Sequence, residues 1–185
     1  MSFLLRLKPW QLFSLTFGLP LLFSLCGNMA LFMKPPQMPI FIGCFIASVA
    51  LFTTGLFCWL WALGTQLPTL LPKSMLAAST KLKIGLVLPS FYIIAVLALF
   101  AAGVSKGFSI SPAILLFILP LHMLSMAGIF YSLYFVAKTL KSVELQRPAS
   151  LSDCLGEFFL LWFFPVGIWL IQPRINRLFA PSRAS

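Results

Sequence analysis

The sequence predicts an all-α integral membrane protein: four transmembrane helices forming two parallel-repeat hairpins, plus a C-terminal re-entrant or in-plane helical hairpin. Three observations lead there. Of 185 residues, 61% are hydrophobic and 9% charged, whereas soluble domains run near 45–50% apolar and about 25% charged. A soluble chain of this size has too little interior to hide that hydrocarbon. The charges also cluster: residues 9–33, 35–72, 84–105, 107–137 and 158–173 contain no Asp, Glu, Lys or Arg. Finally, the proline and glycine landmarks of one half recur in the other.

A spanning helix needs roughly 20 apolar residues to cross about 30 Å of hydrocarbon. The first four uncharged runs meet that length and predict spans near 10–33, 39–64, 84–104 and 112–137. The N-terminus resembles a secretory signal, with Arg6 and Lys8 before an apolar stretch. That stretch is long, and Leu25 precedes Cys26 where lipoprotein processing wants a small residue. An uncleaved first span is expected.

The fifth run is different. Phe158 to Ile171 covers about 21 Å as a helix, is interrupted by Pro165 and Gly167, and meets Pro173 soon after. Ser150 with Asp153 three residues on forms a capping-box pattern, so a helix should start at Leu151. Trp162 and Trp169 suit interfacial depth. The reading is a short helix, a break at Pro165-Val166-Gly167 and a second short piece, with a fifth span as the alternative.

Charge distribution orients the chain. With the N-terminus cytoplasmic and the fifth run turning back, Arg6, Lys8, Lys73, Lys81, Lys83, Lys138, Lys141, Arg147, Arg174, Arg177 and Arg183 lie inside. Only Lys34 and Lys106 lie outside, as the positive-inside rule demands. Both termini are therefore expected in the cytoplasm of a bacterial cell, with the body in its cytoplasmic (inner) membrane. The net charge of +10 is dispersed around the spans, which suits anionic lipid and not nucleic acid.

The repeat aligns Pro39, Leu51, Gly55, Phe57, Leu60 and Leu67 with Pro112, Leu124, Gly128, Phe130, Leu133 and Leu140, an offset of 73. Leu19-Pro20 aligns with Leu88-Pro89 at an offset of 69. Two spans per unit make the repeats parallel, related by an axis along the membrane normal. The 185 residues then form one membrane domain: repeat 1 over about 9–67, a linker over 68–83, repeat 2 over 84–140 and the hairpin over 150–179. A short surface helix over 73–82 would put Lys81 and Lys83 at the headgroups. Ser111-Pro112 reads as a helix cap. Pro20, Pro89 and Pro120 each deprive a carbonyl of its donor, leaving either a cavity or ordinary kinks.

His122 is the single histidine, about 15 Å into the fourth span by helical rise, where an ionisable group is a functional candidate. His122, Ser125, Gly128 and Ser132 share a helix face. They form either a proton or solute relay, or a neutral His bonded to a carbonyl freed by a kink. Asp153 and Glu157 would share a face and, with Arg174 and Arg177, could meet a lipid phosphate; the alternative is service to the helix dipole. Cys26, Cys44, Cys58 and Cys154 lack any C-x-x-C or metal-ligand spacing, so free thiols and no metal or other cofactor are expected. Gly43 with Ala47, and Ala98 with Ala102, fit small-residue helix contacts inside the monomer, with an oligomer surface as the alternative. Trp59, Trp61, Tyr131 and Tyr134 read as interfacial anchors.

The C-terminal stretch Trp162-Phe-Phe-Pro-Val-Gly-Ile-Trp169, followed by Gln172-Pro-Arg-Ile-Asn176, resembles the end of a group of small, uncharacterised bacterial inner-membrane proteins. The resemblance covers roughly the last third and implies location without an activity. Gln172, Arg174, Asn176 and Arg177 are its candidate contacts to anionic headgroups or a membrane partner. With no nucleophile–base pair or paired acids in the spans, no enzymatic activity is expected. The expectation is an accessory or scaffold subunit binding a membrane-protein partner, a second copy or anionic lipid. The alternative is a small-solute or proton-coupled transporter or channel with His122 in its pathway.

Overall fold

The computed structural model describes residues 2–72, 80–106 and 112–180. Every regular element among them is helical. Helix α1 is Ser2–Arg6, α2 is Pro9–Leu31, α3 is Met38–Gln66, α4 is Thr80–Lys106 and α5 is Pro112–Leu145. The last two are α6, Leu151–Trp162, and α7, Phe164–Leu178. The α2, α3, α4 and α5 segments are each long and apolar enough to cross a membrane. The expected cap at Ser111 and most of the helix expected over 73–82 lie outside the described residues.

Helix α2 packs on α3, and α4 on α5; α3 also touches α4 and α5. Each pair crosses at a glycine. A Cβ on Gly55 would stand 2.7 Å from Thr16 Cγ2, and one on Gly85 would stand 2.9 Å from the Gly128 carbonyl. Thr16 and Gly85 are related by the offset of 69, Gly55 and Gly128 by that of 73. By contrast, Gly43 has nothing within 4 Å of its Cβ position among the described residues, so it makes no close helix contact within the chain, and the oligomer-surface alternative is untouched. Ala98 is likewise exposed.

The elements differ from expectation where charges and prolines were read as stops. Helix α5 continues past Lys138 to Leu145 and ends at Gln146, whose φ of 51° is the left-handed conformation that terminates helices. Ser150 caps α6 as expected: its Oγ accepts from Asp153 N–H, and its N–H donates to Asp153 Oδ2. The break after α6 falls at Phe163 (φ −81°, ψ 57°), not at Pro165-Val166-Gly167. Pro165 sits in the first turn of α7, where its missing N–H costs nothing, and α7 runs through Pro173 to Leu178. Gly167 lies against the Leu160 carbonyl, which lets α7 fold back tightly on α6.

The core lies at the end of the bundle that carries most of the basic residues. Trp59, Leu60, Leu63 and Leu67 of the α3 segment meet Leu82 and Leu86 of α4, Val136 and Leu140 of α5, and Ile168, Ile171 and Ile175 of α7. Helix α6 lies along α5, with Trp162 edge-on to Phe130 at 4.6 Å. Helix α7 returns past α3 and α2, through Phe164–Trp59 and Trp169–Phe13 ring contacts.

Candidate functional site

The short α1 helix stops because Pro9 follows, and stopping leaves carbonyls without intrahelical donors. The C-terminal segment supplies them. Gln172 Nε2 lies 3.1 Å from the carbonyls of Leu4 and Leu7 and 3.2 Å from Asn176 Oδ1, so its two hydrogens are shared among three acceptors. Asn176 Nδ2 donates to the Leu7 carbonyl at 3.1 Å. Gln172 Oε1 accepts from Trp59 Nε1 at 2.9 Å, and both side chains are 0% exposed. Trp59 is thus a core residue and not an interfacial anchor; Gln172 offers no group to a headgroup or partner.

Arg174 closes a second cluster on the same turn. Its guanidinium holds Glu144 through Nε at 2.7 Å and Nη2 at 2.6 Å, and reaches Glu157 Oε1 at 2.7 Å. Lys141 Nζ lies 3.3 Å from Glu157 and 3.5 Å from Glu144. Burial alone would raise the Glu157 carboxyl, but hydrogen bonds from Arg174 and Lys141 and the Arg174 charge hold it below its ordinary range. The Glu144 hydrogen bonds raise Arg174 against the desolvation that lowers it. Asp153 is separate: the Ser150 hydrogen bonds lower its pKa, and Arg147 pairs with it at 3.1 Å. Asp153 and Glu157 therefore do not act together, and Arg174 already holds two carboxylates. Of the four candidate contacts Gln172, Arg174, Asn176 and Arg177, only Arg177 is exposed. Asn176, beside Arg6 and Phe179, lines a recess of about 550 Å³ at the surface.

Four residues of these two clusters, Glu144, Lys141, Leu4 and Leu7, carry no motif. The signal available in sequence was scarcity: with three Asp+Glu in all, each carboxylate near a basic cluster has many suitors.

The face proposed around His122 divides. His122 Nδ1 stands 3.0 Å from Tyr92 OH, linking α5 to α4 on the outer surface. Its partner is thus a tyrosine hydroxyl and not a kink carbonyl. Ser132 donates to the Gly128 carbonyl at 2.8 Å, inside the α4–α5 crossing. Ser125 is 2% exposed, and its Oγ has no hydrogen-bond partner among the described residues. In the other pair, Ser48 Oγ donates to the Pro20 carbonyl at 2.7 Å, a cross-tie at a different position of the repeat.

The four cysteines are free thiols, and burial pushes Cys154 up. Among the described residues, no three His, Cys, Asp or Glu converge as metal ligands. A recess of about 700 Å³ opens sideways between α4 and α5 beside Tyr92, with Lys83 at one end. No family model, curated protein or solved structure matches the chain.

Proposed function

We propose that the chain is a non-enzymatic, multi-pass component of a bacterial cytoplasmic membrane, an accessory or scaffold subunit that works through its sides. The observation carrying this reading is where its polar groups go. Gln172, Arg174, Asn176, His122 and Ser132 all bond within the chain, while the α4–α5 recess opens laterally. The candidate contacts at Gln172, Arg174 and Asn176 serve closure of the basic end, leaving Arg177 and the recess for lipid or a membrane partner. The inner-membrane location and the inward-facing termini rest on the basic bias and on the C-terminal resemblance.

In this reading α6 and α7 re-enter the bilayer from the cytoplasmic side. Their outer surface supports it, since Leu151, Phe159, Trp162, Phe163, Val166 and Leu170 are all exposed and want hydrocarbon, not water. The equivalent crossings at Thr16–Gly55 and Gly85–Gly128 support two hairpins of one repeat.

The His122–Tyr92 pair favours a second reading, a small-solute or proton-coupled transporter. Against it, Trp59, Leu60, Leu63, Val136 and Leu140 pack the basic end at 0% exposure, and a pathway would have to part them. Two measurements separate the readings. Purification of the tagged chain in gentle detergent should recover a stoichiometric membrane partner. Proteoliposomes should show no proton or solute flux above empty vesicles; flux abolished by His122→Ala in a folded protein would overturn the scaffold reading.

A further inference from the structure

The α4–α5 recess has a direction. Ile84, Val87, Leu88, Phe91 and Ala95 form one stripe along α4, completed by Leu121 of α5. Among the described residues, its lining apart from Lys83 and Tyr92 is hydrocarbon, and the Tyr92 hydroxyl is tied to His122. Lys83 stands at one end, its Nζ 5.7 Å above the Trp61 ring. From Lys83 to Ala95 is about 18 Å by helical rise, close to the roughly 15 Å of one leaflet's hydrocarbon.

The charge at the mouth needs a counterion from elsewhere. The chain has three carboxylate side chains, Glu144, Asp153 and Glu157, and these are held by Lys141, Arg147 and Arg174. Lys81 is exposed two residues from Lys83. A partner helix fits poorly, because membrane helices approach through small residues. Here Phe91 and Ile84, 70% and 61% exposed, project from the rim, while Gly85 is already used against Gly128. An acyl chain tolerates such a rim.

We propose that this recess binds one anionic phospholipid, its phosphate at Lys83 and one acyl chain along Ile84 to Ala95. The inference rests on the reading above that the basic end faces the cytoplasmic leaflet. The test uses the full chain in mild detergent with equal phosphatidylglycerol and phosphatidylcholine, counting retained lipids by native mass spectrometry. One phosphatidylglycerol per chain should be kept in preference to phosphatidylcholine. Lys83→Ala, or Lys83→Gln if the first variant folds poorly, should weaken retention about fivefold, the scale of one basic residue at an anionic surface. Ala95→Trp should displace the chain with Lys83 intact, whereas Lys138→Ala, a cation over Tyr134, should change nothing. Equal retention of the two lipids would overturn the proposal, as would equal losses for Lys83→Ala and Lys138→Ala. Retention unaffected by Ala95→Trp, or a dimer occupying the recess, would do the same. A failed lipid test with a co-purifying partner sinks this inference alone; catalysed flux with the lipid still bound sinks the scaffold reading instead.

Discussion

Replacing Gln172 with Leu probes the closure of the basic end. The volume is nearly kept, so the cost comes from unmade hydrogen bonds. Trp59 Nε1–H, fully buried, loses its acceptor, and the Leu4 carbonyl loses the donor that Gln172 supplies. The Leu7 carbonyl keeps Asn176. Two orphaned groups at about 1–3 kcal/mol each give a loss of about 2–6 kcal/mol. At ~2–4 °C per kcal/mol for a chain of this size, the unfolding midpoint should fall by roughly 5–20 °C. The assay is thermal unfolding in detergent at one scan rate, followed by intrinsic fluorescence, with Trp59→Phe and the double variant completing a cycle. Trp59→Phe removes the same bond from the other side, so the two losses should be strongly non-additive. A midpoint within about 1 °C of wild type, or full additivity across the cycle, would refute the reasoning.

Acid should weaken the same region. Because the folded Glu157 carboxyl sits below its ordinary value, its ionised form contributes stability above about pH 4.3, and that contribution disappears as pH falls through the folded value. Midpoints measured from pH 7 to pH 3 should therefore fall less steeply for Glu157→Gln than for wild type, and parallel curves would contradict this. At the crossing of α4 and α5, Gly85→Ala puts a Cβ 2.8 Å from Ser132 Oγ and 2.9 Å from the Gly128 carbonyl, so a loss of about 1–3 kcal/mol is expected. Gly43→Ala, with open space around it, should be neutral on the same melting assay. Tyr92→Phe and His122→Phe should each cost about 0.5–1.5 kcal/mol. Their coupling should be near 0.6 kcal/mol, the scale of hydrogen bonds between membrane helices; zero coupling in the double-mutant cycle would remove the Tyr92–His122 tie.

The long apolar helices were legible because one signal, an uncharged run of sufficient length, sets them. Starts at Pro9, Met38 and Pro112 lie close to those expected. Ends were harder: α5 protrudes beyond its apolar run because Lys138, Lys141 and Glu144 continue the same helix. Proline was over-read in α7, where Pro165 occupies a first turn and Pro173 is accommodated within the helix. The candidate site was half visible. Gln172, Arg174 and Asn176 stood out as polar residues beside an apolar run, but their partners lie far along the chain, at Leu4, Leu7, Trp59 and Glu144. Trp59 illustrates the difficulty, since an indole N–H suits a membrane interface and a buried amide equally well. Tyr92 was missed for a related reason: a neutral hydroxyl in an apolar helix advertises nothing until a histidine on the neighbouring helix needs it.

If α6 and α7 turn back within the membrane, Arg147 before them and Ala180 after them share one side of it. Single cysteines at Arg147, Ala180 and Lys34, introduced after replacing Cys26, Cys44, Cys58 and Cys154, test this with an impermeant maleimide on intact spheroplasts. The Lys34 position should label from outside, while the Arg147 and Ala180 positions should label only after permeabilisation. Labelling of the Ala180 position from outside, with Arg147 still protected, would mean that the C-terminal segment crosses the membrane, and would contradict the account.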